Sequence, residues 1–125
     1  MENKDWGESP LLDIIQLLDL YQKLAVRTAA PVEGGDVEKA LFGAIALAGE
    51  SGEILDYMKK VKYHGHDFNL GKFLDEVGDQ LWYIARICDL FQIPMSYLAT
   101  YNIEKLKRRY PEGAFSTERS VNREK

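Results

Sequence analysis

Two pairs of acidic residues stand three apart in the middle of the chain, Glu50-x-x-Glu53 and Glu76-x-x-Asp79. Each pair lies in a segment whose apolar residues recur at helical spacing, and residues three apart on a helix are neighbours on one face. Each segment therefore projects two carboxylates from one side. Between the pairs, Tyr63 to Gly71 carries two glycines and an Asn, the composition of a helix–helix connection. If the chain folds back there, four carboxylates converge. Such a cluster repels itself and is costly to desolvate unless a cation joins it. Hard divalent ions such as Mg2+ take oxygen ligands, with water and substrate phosphates filling the remaining positions. The plain alternative is a solvated acidic face. Against it, Ala, Ile, Leu, Trp and Tyr flank the pairs where Lys and Arg partners would be expected.

Glycines in these segments point the same way. Gly43, Gly49 and Gly52 precede or accompany the first pair, and Gly78 precedes Asp79. A glycine costs about 1 kcal/mol against Ala inside a helix. Close backbone approach beside the site is the expected reason for Gly52 and Gly78.

The elements that must position these groups are all helical. Ser9-Pro10 starts a first helix, expected from Leu11 to Thr28, with Leu11, Leu12, Ile15, Leu18 and Ala25 on its apolar stripe. Gln22, Arg27 and Thr28 lie towards its end. The loop AAPVEGGD follows, with Asp36 as the expected cap of a second helix from Val37 to Lys62. One face of that helix carries Glu50, Glu53, Tyr57 and Lys60, and a neighbouring face carries Gly43, Leu47, Ile54, Met58 and Val61 as core. Asp67 and Asn69 read as turn or cap residues. A third helix is expected from Leu70 to Phe91, with Phe73, Val77, Leu81, Ile84, Cys88 and Phe91 on its apolar stripe and Glu76, Asp79 and Tyr83 on another. Ile93-Pro94 separates it from a fourth helix that ends near Arg109, before Pro111-Glu112-Gly113. Asn102, Lys105 and Arg109 share one face of that helix.

The 125 residues suffice for one domain with a modest core, and no strand pattern appears. The expected organisation is a flexible N-terminal segment over 1–10, a helical domain over 11–111 and a polar tail over 112–125. A net charge of −4 gives no support to coating nucleic acid. The single Cys88 excludes an internal disulfide. No apolar run reaches membrane-spanning length, and the first residues lack a signal-peptide pattern, so a cytoplasmic protein with no membrane partner is the expectation. His64-x-His66 is a poor zinc site without cysteine partners. A di-iron carboxylate bundle would need Glu-x-x-His, whereas Val61 and Tyr63 stand three before the two histidines.

These residues carry a family resemblance. Glu50-x-x-Glu53, a spacer and Glu76-x-x-Asp79, in the wording LAGESGEI and DEVGDQLWYIA, resemble the metal-binding helices of the MazG-like all-α nucleoside triphosphate pyrophosphohydrolases. Asn102-x-x-Lys105-Leu-x-x-Arg109-Tyr-Pro resembles the downstream Asn/Lys/Arg element of that family. The upstream YQKLAVRTA is similar to short bacterial and phage-encoded members. The resemblance covers about residues 11 to 111. It departs at Gly49, where the family often has a further Glu, so a second metal ion is not implied.

The resemblance implies an antiparallel four-helix bundle whose core is completed by dimerisation, as a homodimer or homotetramer. It implies that Glu50, Glu53, Glu76 and Asp79 bind Mg2+, with Mn2+ as a possible substitute. Asn102, Lys105 and Arg109 would hold the triphosphate, with Lys60 as a weaker candidate. The substrate would be a nucleoside triphosphate cleaved between the α and β phosphates, giving the monophosphate and pyrophosphate. Glu53 or Glu50 is the candidate catalytic base. Trp82, Tyr83, Gln22 and Thr28 are candidate walls of the base pocket. The rivals are a narrow relative acting on dUTP, dCTP or phosphoribosyl-ATP, and a helical nucleotide sensor without turnover.

Overall fold

The structure is a computed structural model and describes residues 9–123, with side chains from Ile15 onwards. Its helices are α1 (Ser9–Ala25), α2 (Asp36–Tyr63), α3 (Leu70–Leu90), α4 (Met95–Arg109) and α5 (Thr117–Val121), with a 3-10 turn over Val26–Thr28. The described residues contain no strand, so the fold class is all-α. Most of the loose segment expected for 1–10 lies outside the described residues, as do the side chains of Leu11 and Leu12. The polypeptide divides into two compact units: among the described residues, one holds 21–93 and the other holds 9–20 with 94–123.

Within the first unit α2 and α3 form an antiparallel hairpin. Gly43 packs on Ile87, Ser51 meets Gln80, and Tyr57 meets the connecting loop. Asn69 caps α3, its Oδ1 accepting from Lys72 N at 3.1 Å. Gly65 turns the chain at φ +71°, a conformation that favours glycine. Tyr57 closes the loop: Asn69 N donates to its hydroxyl oxygen at 2.7 Å, and Phe68 bridges Tyr57 and Phe73 with ring centroids 6.4 and 5.9 Å away. The cap of α2 differs from expectation. Gly35 occupies the cap position and Asp36 is the first helical residue. Glu38, three residues on, reaches back so that its Oε2 accepts from Gly35 N at 2.9 Å, the return half of a capping box, while no cap side chain serves the first-turn N–H groups, the role expected of Asp36.

The first helix tightens at its end. Its α-geometry stops at Ala25, and the last turn to Thr28 is 3-10, with Ala29 N donating to Val26 O. Three side chains moor this segment and the end of α3 through backbone carbonyls. Trp82 Nε1 donates to Ala25 O at 2.8 Å, Arg86 Nη2 donates to Ala30 O, and Gln22 Nε2 donates to Ile93 O at 2.9 Å. Arg86 is buried and also pairs with Asp89. α3 ends in a Schellman motif, with Ile93 N donating to Cys88 O and Gln92 N to Asp89 O. Its left-handed position is Gln92, at φ 55°, where glycine is usual.

In the second unit Asp19 caps α4 from α1. Its Oδ1 accepts from Ser96 N at 2.8 Å and its Oδ2 from Ser96 Oγ at 2.7 Å. A carboxylate there satisfies an otherwise orphaned N–H and complements the helix dipole. The tail folds back on itself: Arg119 pairs with Glu112 at 2.6 Å, Ser116 caps α5, and Tyr110 packs beside Phe115.

The buried core is thin. Among the described hydrophobic residues, Ile15, Ala85, Cys88, Leu90 and Met95 are buried, whereas Leu41, Ile45 and Leu55 of α2 and Leu70, Leu74 and Leu81 of α3 are exposed. Of the expected stripe on α3, its C-terminal part turns inward and Val77 and Leu81 remain exposed.

Candidate metal centre

The hairpin brings three of the four acids together. Glu50 from α2 and Glu76 and Asp79 from α3 each offer a carboxylate oxygen, and these oxygens lie within 4.8 Å of one another. Glu50 and Glu76 are half-buried and Asp79 is exposed. The spacing is short enough for one cation to touch all three, and the donors are all hard oxygens, which suits Mg2+ or Mn2+. Gln80 Nε2 donates to Ser51 Oγ beside the cluster, which pins the register of the two helices at this level.

Glu53 stands outside the group. It lines an adjoining cleft of about 210 Å3 with Asp56, Tyr57, Lys60, Lys72 and Glu76. Its charge is nevertheless felt in the cluster. Glu50 is held above the ordinary carboxylate range by desolvation first, then by the charges of Asp79, Glu76 and Glu53. Three acids thus destabilise the ionised form of a fourth, the condition that a bound divalent cation relieves.

Lys60, the weaker phosphate candidate, is engaged by Asp56 at 2.7 Å, and Lys59 reaches the same carboxylate at 2.9 Å. Hydrogen bonds from Lys60 and Lys59 push the Asp56 carboxyl down to about 2. Asp56 and Lys72 were not singled out by the sequence. The signal for Asp56 was available in the spacing, since it stands four before Lys60.

The candidate walls of the base pocket carry structural duties. The Trp82 indole N–H is committed to Ala25 O, and Trp82 meets Tyr83 edge-on at 5.0 Å. Tyr83 in turn meets Phe42 at 6.2 Å. Gln22 holds Ile93 O, and Thr28 Oγ1 donates to Ala25 O at 3.3 Å. Asn102, Lys105 and Arg109 lie on α4 in the other unit, with Asn102 exposed and Lys105 and Arg109 half-buried. His64 and His66 are exposed and belong to no metal-ligand group among the described residues.

Among the described residues, nothing makes the close approach expected at Gly52 and Gly78. A Cβ at Gly49, Gly52 or Gly78 would meet nothing within 4 Å, whereas one at Gly43 would lie 2.5 Å from Ile87 Cγ1. The glycine that permits close packing is therefore Gly43, two turns from the acids.

The Gene 37 protein of Mycobacterium phage L5 is 29% identical to this chain, over 77% of this chain and 90% of that protein. Its name states no activity. No protein-family model matches the chain, and no solved structure matches it. No helix among the described residues is long and apolar enough to cross a membrane.

Proposed function

We propose that this chain is a Mg2+-dependent nucleoside triphosphate pyrophosphohydrolase of the MazG-like kind, acting on canonical or modified nucleotides in the cytoplasm. The observation that supports it most is the convergence of Glu50, Glu76 and Asp79 on one point of the α2–α3 hairpin. Those three residues would hold the ion, which when bound supplies Lewis-acid activation and neutralises phosphate charge. Glu53, beside the triad but outside it, is left to accept a proton from the attacking water. Water adds across the α–β anhydride, and the nucleoside monophosphate and pyrophosphate separate. The resemblance assigns the triphosphate to Lys105, Arg109 and Asn102, and offsetting and orienting phosphate charge is the larger part of phosphoryl-group catalysis.

A homodimer or homotetramer belongs to the same reading. The thin core and the exposed leucines and isoleucines of α2 and α3 favour burial against further copies of the chain.

The test is turnover of a panel of standard and modified nucleoside triphosphates with Mg2+, with and without inorganic pyrophosphatase, against a Glu53→Ala control. Phosphate released only in the presence of pyrophosphatase, and lost in the variant, is the expected result. Binding of nucleotide with no turnover of any triphosphate would replace the hydrolase with a sensor.

A further inference from the structure

A cluster of cationic side chains gathers within the second unit of this acidic protein. The C-terminal half of α4, the following turn and α5 enclose an open cleft of about 1310 Å3. Lys105, Arg108, Arg109, Arg119 and Arg123 line it, and Phe115 stands on its wall. Two carboxylates, Glu112 and Glu118, also reach it, so cations outnumber anions in a chain whose net charge is −4.

The pairing inside the cleft leaves most of this charge uncommitted. Glu112 takes one nitrogen of Arg119, and a guanidinium has five N–H donors. Among the described residues no ion pair engages Lys105, Arg108, Arg109 or Arg123. Like charges gathered this way repel, and an anion of several charges relieves them. Planar guanidinium groups bind phosphate oxygens in pairs, so four arginines suit a polyphosphate better than a carboxylate of single charge. Phe115 adds a second chemistry. Phe115 is 72% exposed, with Tyr110 packed beside it at 5.6 Å between ring centroids. An aromatic face presented among arginines is what a nucleobase stacks on, whatever its identity.

We infer that the α4–α5 cleft is a nucleotide site, in which Arg108, Arg119 and Arg123 join Lys105 and Arg109 on the phosphates and Phe115 takes the base. The inference rests on the reading above for Lys105 and Arg109, and adds the tail as a determinant of affinity. It makes residues 112–123 a part of the substrate-binding apparatus that acts without the metal.

The experiment is calorimetric binding of an α,β-methylene nucleoside triphosphate to the full chain in EDTA. The proteins are the wild type, Arg119→Gln/Arg123→Gln, Arg108→Gln and Phe115→Ala, each checked for helicity by circular dichroism. The expected result is a loss of about tenfold or more in affinity for each arginine variant, and about five- to tenfold for Phe115→Ala. Inorganic triphosphate should feel the arginines and ignore Phe115. Arg108→Gln changes no described ion pair, so it answers the question even if the α5 variant loses its helix. Unchanged affinity in Arg108→Gln and in a folded Arg119→Gln/Arg123→Gln overturns the proposal, as does tighter binding of a single-stranded oligonucleotide than of the nucleotide. The hydrolase reading fails separately. Metal-free binding that depends on these arginines, with no turnover of any triphosphate in Mg2+, would keep the cleft and remove the enzyme.

Discussion

The Tyr57 hydroxyl sits 2.7 Å from the amide nitrogen of Asn69 and joins the last turns of α2 to the residue that caps α3. The acids of α2 precede this joint in the chain and those of α3 follow it, so it helps hold the hairpin on which Glu50 meets Glu76 and Asp79. Tyr57→Phe keeps the ring contact with Phe68 and removes the hydroxyl's hydrogen bonds to Asn69 and Asp67. The expected cost is about 1 kcal/mol in urea unfolding, together with weaker Mg2+ binding.

Divalent ions should raise the melting temperature at neutral pH, and the rise should shrink in acid. Glu50 has its folded pKa raised above the ordinary 4.5, by desolvation and by its three acidic neighbours. For a carboxyl raised in this direction the penalty is absent below 4.5, where the group is protonated in both states. It grows as pH climbs through the folded value. In metal-free protein, stability from this site therefore falls with rising pH over that window, and Mg2+ restores it. Thermal melts with and without Mg2+ between pH 4.5 and 8 measure both effects. Asp79→Asn or Glu76→Gln should abolish the Mg2+ shift.

Glu53 should separate from the other three acids. Glu53→Gln is expected to lower kcat by about 10^2- to 10^4-fold while leaving the Mg2+-induced melting shift in place. Glu50→Gln should lose both. Loss of the shift in Glu53→Gln would place that residue among the metal ligands instead.

Two helix-terminal substitutions should move stability in opposite directions. Gln92→Gly relieves a non-glycine residue at φ 55° and should stabilise by about 1 kcal/mol. Asp19→Ala removes both bonds to Ser96 and should destabilise by about 1–2 kcal/mol. Equilibrium unfolding in denaturant measures each.

Glycines on α2 should likewise divide. Gly43→Ala drives a Cβ against Ile87 and should destabilise by about 1–3 kcal/mol. Gly52→Ala meets open space and should stabilise by about 1 kcal/mol through helix propensity. A lower melting temperature for Gly52→Ala, read with the oligomeric state by light scattering, would mean that another copy of the chain covers that face.

Much of the hairpin was legible in the residues themselves. Apolar spacing marked α2 and α3, prolines bounded α4, and Asn69 read as a turn or cap residue ahead of α3, because these signals are local. The acids were legible as two pairs, yet pairing by three is an imperfect guide to convergence. Three helical steps leave two side chains about 60° apart around the axis, so one partner on α2 can face α3 while the other faces a neighbouring cleft. Glu50 and Glu53 divide in this way. The Asp19–Ser96 cap and the Gln22–Ile93 bond join residues more than 70 positions apart and leave no local trace. At Gln92 the residue type pointed away from the left-handed turn it adopts, because hydrogen bonds across the end of α3 outweigh its intrinsic preference.

The moorings of the first helix have a one-sided grammar. Trp82, Arg86 and Gln22 each grip a carbonyl oxygen, and every amino acid carries one. The gripped positions, Ala25, Ala30 and Ile93, can therefore drift in identity without releasing the hold, so far as these bonds are concerned, whereas each donor is answerable for its own chemistry. A saturation screen for folded protein should find wide tolerance at Ala30, which is exposed, and a narrow one at Trp82 and Arg86. Two relatives could thus keep the same anchorage while their aligned residues around position 30 share nothing.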